Sequence, residues 1–178
     1  MLSLKKFIPA MSLFTVLCLS AMPAMAQASD QVPDAPQSKE KIMSEQKLGP
    51  FPLGQENTAY AKYFIGKSYL QPLTSEGLNI ANVTFEPGCR NNWHIHHATK
   101  GGGQILLCTA GKGWYQEWGK PARALKEGDS VVIPAGVKHW HGAQKDSWFV
   151  HIAIAVPGEG TSNEWLEPVS DEEYAKLK

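Results

Sequence analysis

All six histidines of this 178-residue chain fall between residues 94 and 151, and that crowding is the first sign of chemistry. His94 and His96 stand two apart in WHIHH, and His139 and His141 repeat the spacing in KHWHG. In a β-strand, side chains two apart share a face, so His94 and His96 aim one way while Ile95 and His97 aim the other. Neutral imidazole is the commonest protein ligand for Mn, Fe, Ni, Cu and Zn ions. Two imidazoles from one strand and a third, His139, from a neighbour would form a facial set that leaves positions open for a ligand. A lone His-x-His is a weak pattern, because strand histidines can simply be surface residues. The weight comes from the second cluster, which follows a β-branched run and a Pro-Ala-Gly turn in SVVIPAGVKHWHG.

Positioning these groups calls for strands. AKYFIGKSYLQPL is rich in strand formers interrupted by Gly66, and LNIANVTFEPG alternates Ile80, Asn82 and Thr84 against Ala81, Val83 and Phe85 before a Pro-Gly turn. WHIHH, QILLCTAG, the pair GWYQEW and ARAL across GKP, SVVIP, KHWHGA and SWFVHIAIAV follow, punctuated by Gly and Pro. Short strands with hardly a helical period among them predict an all-β sandwich or barrel. At the end, Ser170 with Glu173 three residues later is a capping box, which predicts one short C-terminal helix in DEEYAKLK.

The chain starts with a segment to be set apart. Lys5 and Lys6 precede a largely apolar stretch, and Ala24-Met25-Ala26 puts small residues where a signal peptidase reads, so 1–26 is expected to be a signal peptide. A membrane anchor would want about 20 unbroken apolar residues, which Pro9 and Pro23 interrupt. A lipid anchor on Cys18 is disfavoured by Leu17 before it. Residues 27–50 are polar, with Pro33 and Pro36 and no apolar period, and read as a flexible leader. Residues 51–178 are expected to form one domain, periplasmic or secreted. Seventeen basic residues balance 17 acidic ones and are dispersed, which argues against a nucleic-acid partner or, after signal cleavage, a membrane surface. Cys89 and Cys108 could bridge in an oxidising compartment, but free cysteine behaves as a small apolar residue, which favours buried thiols.

The segment around the first histidines resembles the first cupin motif: Gly88, five residues, His94-x-His96, a spacer, Gln104, six residues, Gly111. The second motif is matched by Gly128, Pro134, Gly136 and His139, and the likeness spans residues 51–156. It implies a jelly-roll barrel of about eight to ten strands holding a divalent metal on three histidines and one oxygen ligand. Two departures stand out. Gln104 replaces the family's Glu after a longer spacer, with no Asp or Glu between Glu86 and Glu117 to substitute, and Ala143 replaces the closing Asn. Gln104 is therefore the candidate fourth ligand beside His94, His96 and His139.

More narrowly, the chain resembles manganese-dependent hydroxynitrile lyases of the cupin type, in the Gly-Gln after the first His pair, in KHWHG, and in His151-Ile152-Ala153-Ile154. This likeness implies an exported metal-dependent enzyme that breaks or forms a carbon–carbon bond in a small organic substrate. Manganese is the expected metal, with Fe, Ni or Zn as alternatives. Three imidazoles and an amide carry no charge, so the ion keeps its full double charge and acts strongly as a Lewis acid. A cupin dioxygenase is the alternative enzyme, and a non-catalytic metal or small-ligand binding protein of the envelope is the alternative from another class.

Around the ligands, His151 shares a strand face with Phe149 and Ala153. If that face points inward, it is the expected general acid/base, titrating near neutral pH. His141 is expected to orient His139 or to touch substrate, and His97 to be structural. Lys138 and Tyr115 could reach a substrate. Trp93, Trp140 and Trp148 are expected in the core or on a dimer surface. A homodimer is expected by analogy with the fold.

Overall fold

The computed structural model describes residues 48–178. The expected signal peptide and, apart from 48–50, the expected leader lie outside the described residues. Among the described residues fourteen strands succeed one another. The first seven are β1 (Gln55–Glu56), β2 (Phe64–Ile65), β3 (Ser68–Pro72), β4 (Ile80–Phe85), β5 (Arg90–Asn91), β6 (His94–His97) and β7 (Lys100–Gly101). Then come β8 (Gln104–Glu117), β9 (Arg123–Lys126), β10 (Ser130–Ile133), β11 (His139–Ala143), β12 (Phe149–Ala155), β13 (Gly158–Glu159) and β14 (Ser162–Trp165). All ladders are antiparallel, and they curl into the barrel expected of an all-β jelly-roll.

One sheet face runs β1-β3-β4-β12 and on to the first half of β8 and β10. The facing side is built from β9, the second half of β8, β11, β5, β6, β2 and β14. β8, at 14 residues, joins the two. The sequence reading treats QILLCTAG and GWYQEW as separate runs, but they form one strand bent at Gly111. Residues 104–111 pair with β12, and residues 113–117 pair with β11. Gly111 adopts φ +71°, and a Cβ there would lie 1.8 Å from the Trp148 carbonyl oxygen, so only glycine fits. The bend also switches which parity faces in. Leu106 and Cys108 before it and Tyr115 after it share the inner cluster, whereas Trp114 joins the outer one. Gly111→Ala is expected to cost more than about 2 kcal/mol, left-handed backbone and carbonyl overlap together, read as a drop in urea midpoint. A midpoint unmoved from wild type would show that the bend tolerates a side chain.

AKYFIGKSYLQPL is likewise not one strand. Residues Thr58–Tyr63 form a 3-10 turn, and Gly66, at φ +86°, sends the chain from β2 on one side of the barrel to β3 on the other. β14 was not expected. Its sequence, SNEW, has no apolar alternation, and it is a strand because it completes the hydrogen bonding of β6.

The inner core contains Phe85, Leu106, Leu125, Ile133 and Phe149, all fully or almost fully buried. Cys89 and Cys108 sit within it as free thiols. Burial pushes them up to about 12 and about 11, so they stay protonated, small and apolar, as the sequence reading favours. Outside the second sheet, Trp93, Trp114, Trp140 and Val169 pack under α1 (Asp171–Ala175). Ser170 Oγ accepts the Glu173 N–H at 3.1 Å, the expected cap. Arg90, buried, ties this end down: it donates to the Val169 carbonyl at 3.0 and 3.2 Å, pairs with Asp171 and lies 4.4 Å over the Tyr174 ring. Trp148 instead sits in the turn before β12, 6.4 Å from the Tyr69 ring.

Candidate metal centre

β6 supplies His94 and His96, and β11 supplies His139 directly opposite His94 in the ladder. The three imidazoles thereby converge, with one ligating atom from each within 4.8 Å of the others. Each ring is oriented by its Nδ1. His94 Nδ1 donates to the Asn92 carbonyl at 2.9 Å, His139 Nδ1 to the Val137 carbonyl at 2.9 Å, and His96 Nδ1 to Asn163 Oδ1 at 2.7 Å. With the proton held on Nδ1, each Nε2 is left with a free lone pair, the form a metal takes. Nε2 of His96 and of His139 and Oε1 of Gln104 are all buried without a hydrogen-bond partner among the described residues. Orphaned buried acceptors are costly, and a cation among them removes that cost. Gln104 neighbours His96 closely enough to perturb it without meeting hydrogen-bond geometry. The residues therefore fit a divalent metal held by three histidines, and Gln104 lines the same cavity as His94 and His96.

Electrostatics agree. Burial is the largest cause holding His94 well below the ordinary histidine range, with charge repulsion from His139 adding to it. Burial likewise lowers His96, and takes His139 down to about 4. All three are neutral near pH 7, which metal binding requires.

A cavity of about 240 Å³ opens on this group. Its walls are apolar at Phe64, Leu70, Ala81 and Val83 and polar at Asn57 and Asn91, and among the described residues include no Asp, Glu, Lys or Arg. A second cleft of about 450 Å³ lies outside and shares His96 and Asn163 with it. The roof is aromatic. Trp165 stacks on His94 with centroids 4.8 Å apart, and Tyr63 stacks on Trp165 at 4.6 Å.

The remaining expectations sort by position. His141 and His151 both face inward and are buried, their rings 4.9 Å apart at 86°. Burial pushes His151 down to about 3, which corrects the expectation of titration near neutral pH: it is a neutral imidazole there, with both ring nitrogens unpartnered among the described residues. His97 points outward to Glu164 at 2.7 Å, a structural pair. Lys138 does not reach the cavity. Its ammonium lies over the Trp118 and Trp93 rings, at 3.5 and 5.5 Å, and pairs with Glu167. Tyr115 packs in the core, 5.8 Å from the His139 ring, and its hydroxyl donates to Glu117. Sequence reasoning missed Asn163, Trp165, Tyr63 and Asn91. The first two stand at period two on a polar strand that only its pairing with β6 reveals.

Fold and site together define a β-barrel protein with an inward three-histidine group able to hold a metal. The Cupin domain family matches residues 81–154. The (R)-mandelonitrile lyase of Granulicella tundricola is 43% identical over 96 residues, which is 54% of this chain and 70% of that protein. A cupin-like protein of Thermotoga maritima, known by crystal structure, is 41% identical with TM-score 0.62, over 71% of this chain and 94% of that one. A DMSP lyase of Ruegeria pomeroyi, at 18% identity and TM-score 0.50 over 74% of this chain and 77% of that one, shares the fold alone. The chain belongs to the cupin superfamily.

Proposed function

We propose that this protein is an exported, metal-dependent lyase that cleaves or forms the carbon–carbon bond of a small hydroxynitrile. The observation that carries the reading is the set of orphaned Nε2 and Oε1 atoms beside a cavity that the described residues line without a charged side chain, in a chain 43% identical to a mandelonitrile lyase over their matched residues. His94, His96, His139 and Gln104 would hold the metal, manganese first among the candidates. When bound, the metal supplies Lewis acidity in a low-dielectric cavity.

The chain's own residues do the rest. Phe64, Leu70, Ala81 and Val83 hold the apolar part of the substrate and exclude water. His151, buried beside the cavity-lining His141 with the rings 4.9 Å apart, is assigned the hydroxyl proton of the substrate. The carbon–carbon bond breaks with its electron pair leaving on the nitrile carbon, the carbonyl forms, and the proton passes from His151 to the departing cyanide. A neutral imidazole is a weak base at rest, and negative charge building beside it raises its affinity for the proton. The same reading has residues 1–26 removed on export to the periplasm or medium, and places the mature domain in a homodimer acting on a small molecule.

The test is elemental analysis of protein purified without chelator, joined to an assay of cyanide and aldehyde release from mandelonitrile. His151→Ala should lower kcat about 100-fold or more, the usual scale for a proton-transfer group, and leave metal content unchanged. Absence of a transition metal would sink the reading. Tight ligand binding without turnover would make the protein a binding module, and oxygen uptake with phenolic substrates would make it a dioxygenase.

A further inference from the structure

The metal-facing cavity and the outer cleft meet on a shared rim: Asn79, His96, Ala155 and Asn163 line both. Asn79, Ala155 and Asn163 are exposed, so this rim is a mouth, while His94 and His139 lie deeper, 2% and 0% exposed. At about 240 Å³ the inner cavity is smaller than ordinary small-molecule sites, which run from roughly 300 to 1,000 Å³. Joined to the cleft of about 450 Å³ in front of it, the space falls inside that range. A ligand held near His96 and continuing past Asn163 enters the cleft directly.

The cleft has built walls. On one side the Ala155 N–H donates to the Asn79 carbonyl, the Val156 N–H to the Gly103 carbonyl and the Gly102 N–H to the Pro157 carbonyl, each at 3.0 Å. A Cβ on Gly158 would lie 2.6 Å from the Gly102 nitrogen, so β7 and β13 meet too closely there for a side chain to intervene. On the other side the Thr74 hydroxyl donates to the Leu78 carbonyl and accepts the Ile80 N–H at 3.2 Å. That turn holds Leu78 on the cleft, 45% exposed, where a ligand that covers it removes apolar surface from water. Val156 and Pro157 add apolar wall, and Thr161 and Ser162 add hydroxyls. Among the described residues the lining includes no Asp, Glu, Lys or Arg, and Nε2 of His97 is already paired with Glu164 at 2.7 Å. A charged group would lose hydration there with no counter-charge to replace it, so the lining suits an uncharged one.

We infer that the cleft is a second subsite, which seats an uncharged, ring-sized extension of the substrate while the reacting end lies in the inner cavity, and that Leu78 and Thr161 set how long a substrate the protein takes. The inference deepens the proposed function and rests on it for the chemistry at the inner end, whereas the seating itself needs no turnover.

Calorimetric titration of the protein, metal-free and manganese-loaded, with para-phenoxybenzyl alcohol and with benzyl alcohol compares a long ligand with its short core. Wild type should bind the long alcohol at least about tenfold more tightly, because a further ring leaves water. Thr161→Trp, which fills the cleft, should erase that preference, and Leu78→Ser, which strips its apolar wall, should cut it about threefold. Both should leave the affinity for benzyl alcohol unchanged. Both positions are exposed, so neither change touches the core. Equal affinities for the two alcohols in wild type, or a preference undiminished in both variants, would overturn the inference. A preference lost as expected, in protein that releases no cyanide from mandelonitrile, would leave the subsite standing and the lyase reading failed.

Discussion

Stripped of metal, the protein is expected to lose on the order of 5 kcal/mol of unfolding free energy between pH 6.5 and pH 5. Four histidines are buried and neutral. His139 and His151 are pushed down to about 4 and about 3, and His94 and His141 lie well below the ordinary range. In the unfolded chain each titrates near 6.5. Below that pH the unfolded state binds protons that the fold refuses, so the stability present above pH 6.5 falls as acid is added, down towards the folded values. Each group contributes up to about 1.4 kcal/mol per pH unit. A loss of that size is comparable to the whole stability of a typical domain. Carboxylates are not the cause in this window, because Glu117, Asp129 and Glu167 are lowered, not raised. Urea denaturation of chelator-treated protein across this range measures it, and a flat midpoint from pH 7 to pH 5 would refute the burial of neutral imidazoles.

Metal should act in the opposite direction. At a concentration 100 times its dissociation constant, manganese is expected to add about 2.7 kcal/mol to wild-type stability, raising the unfolding temperature by roughly 5–10 °C for a domain of this size. His139→Ala removes the donor that alone comes from β11 and should abolish nearly all of that rise. The same variant, free of metal, should also be less sensitive to acid, because one refused proton is gone. The pair of results separates a ligand from a residue that merely packs. Calorimetric scans with and without manganese read both, and an undiminished metal-induced rise in His139→Ala would remove this residue from the site.

Where the strands would run was legible from patterning over most of β4, β10, β11 and β12, because alternation and turn residues are local properties. Boundaries failed at glycines. Gly111 looked like the end of a strand, and it is the bend that lets one strand serve both faces of the barrel. Gly66 looked like an interruption within a strand, and it is a change of sides. In both cases a left-handed backbone is permitted by the residue type, but its direction depends on what the chain packs against.

By itself the sequence determined which histidines share a face, since period two follows from strand geometry and from nothing distant. It also determined that no carboxylate stands near Gln104 along the chain. Only the tertiary structure decided what each imidazole offers. Asn92 and Val137 carbonyls and Asn163 leave three lone pairs for a cation, while at His141, identical in spacing, Asn91 takes up the Nε2 lone pair. The physical reason is that a histidine's free nitrogen is set by the partner of its other one. At His96 and His141 those partners, Asn163 and Asn91, reach the ring from strands far away in the chain.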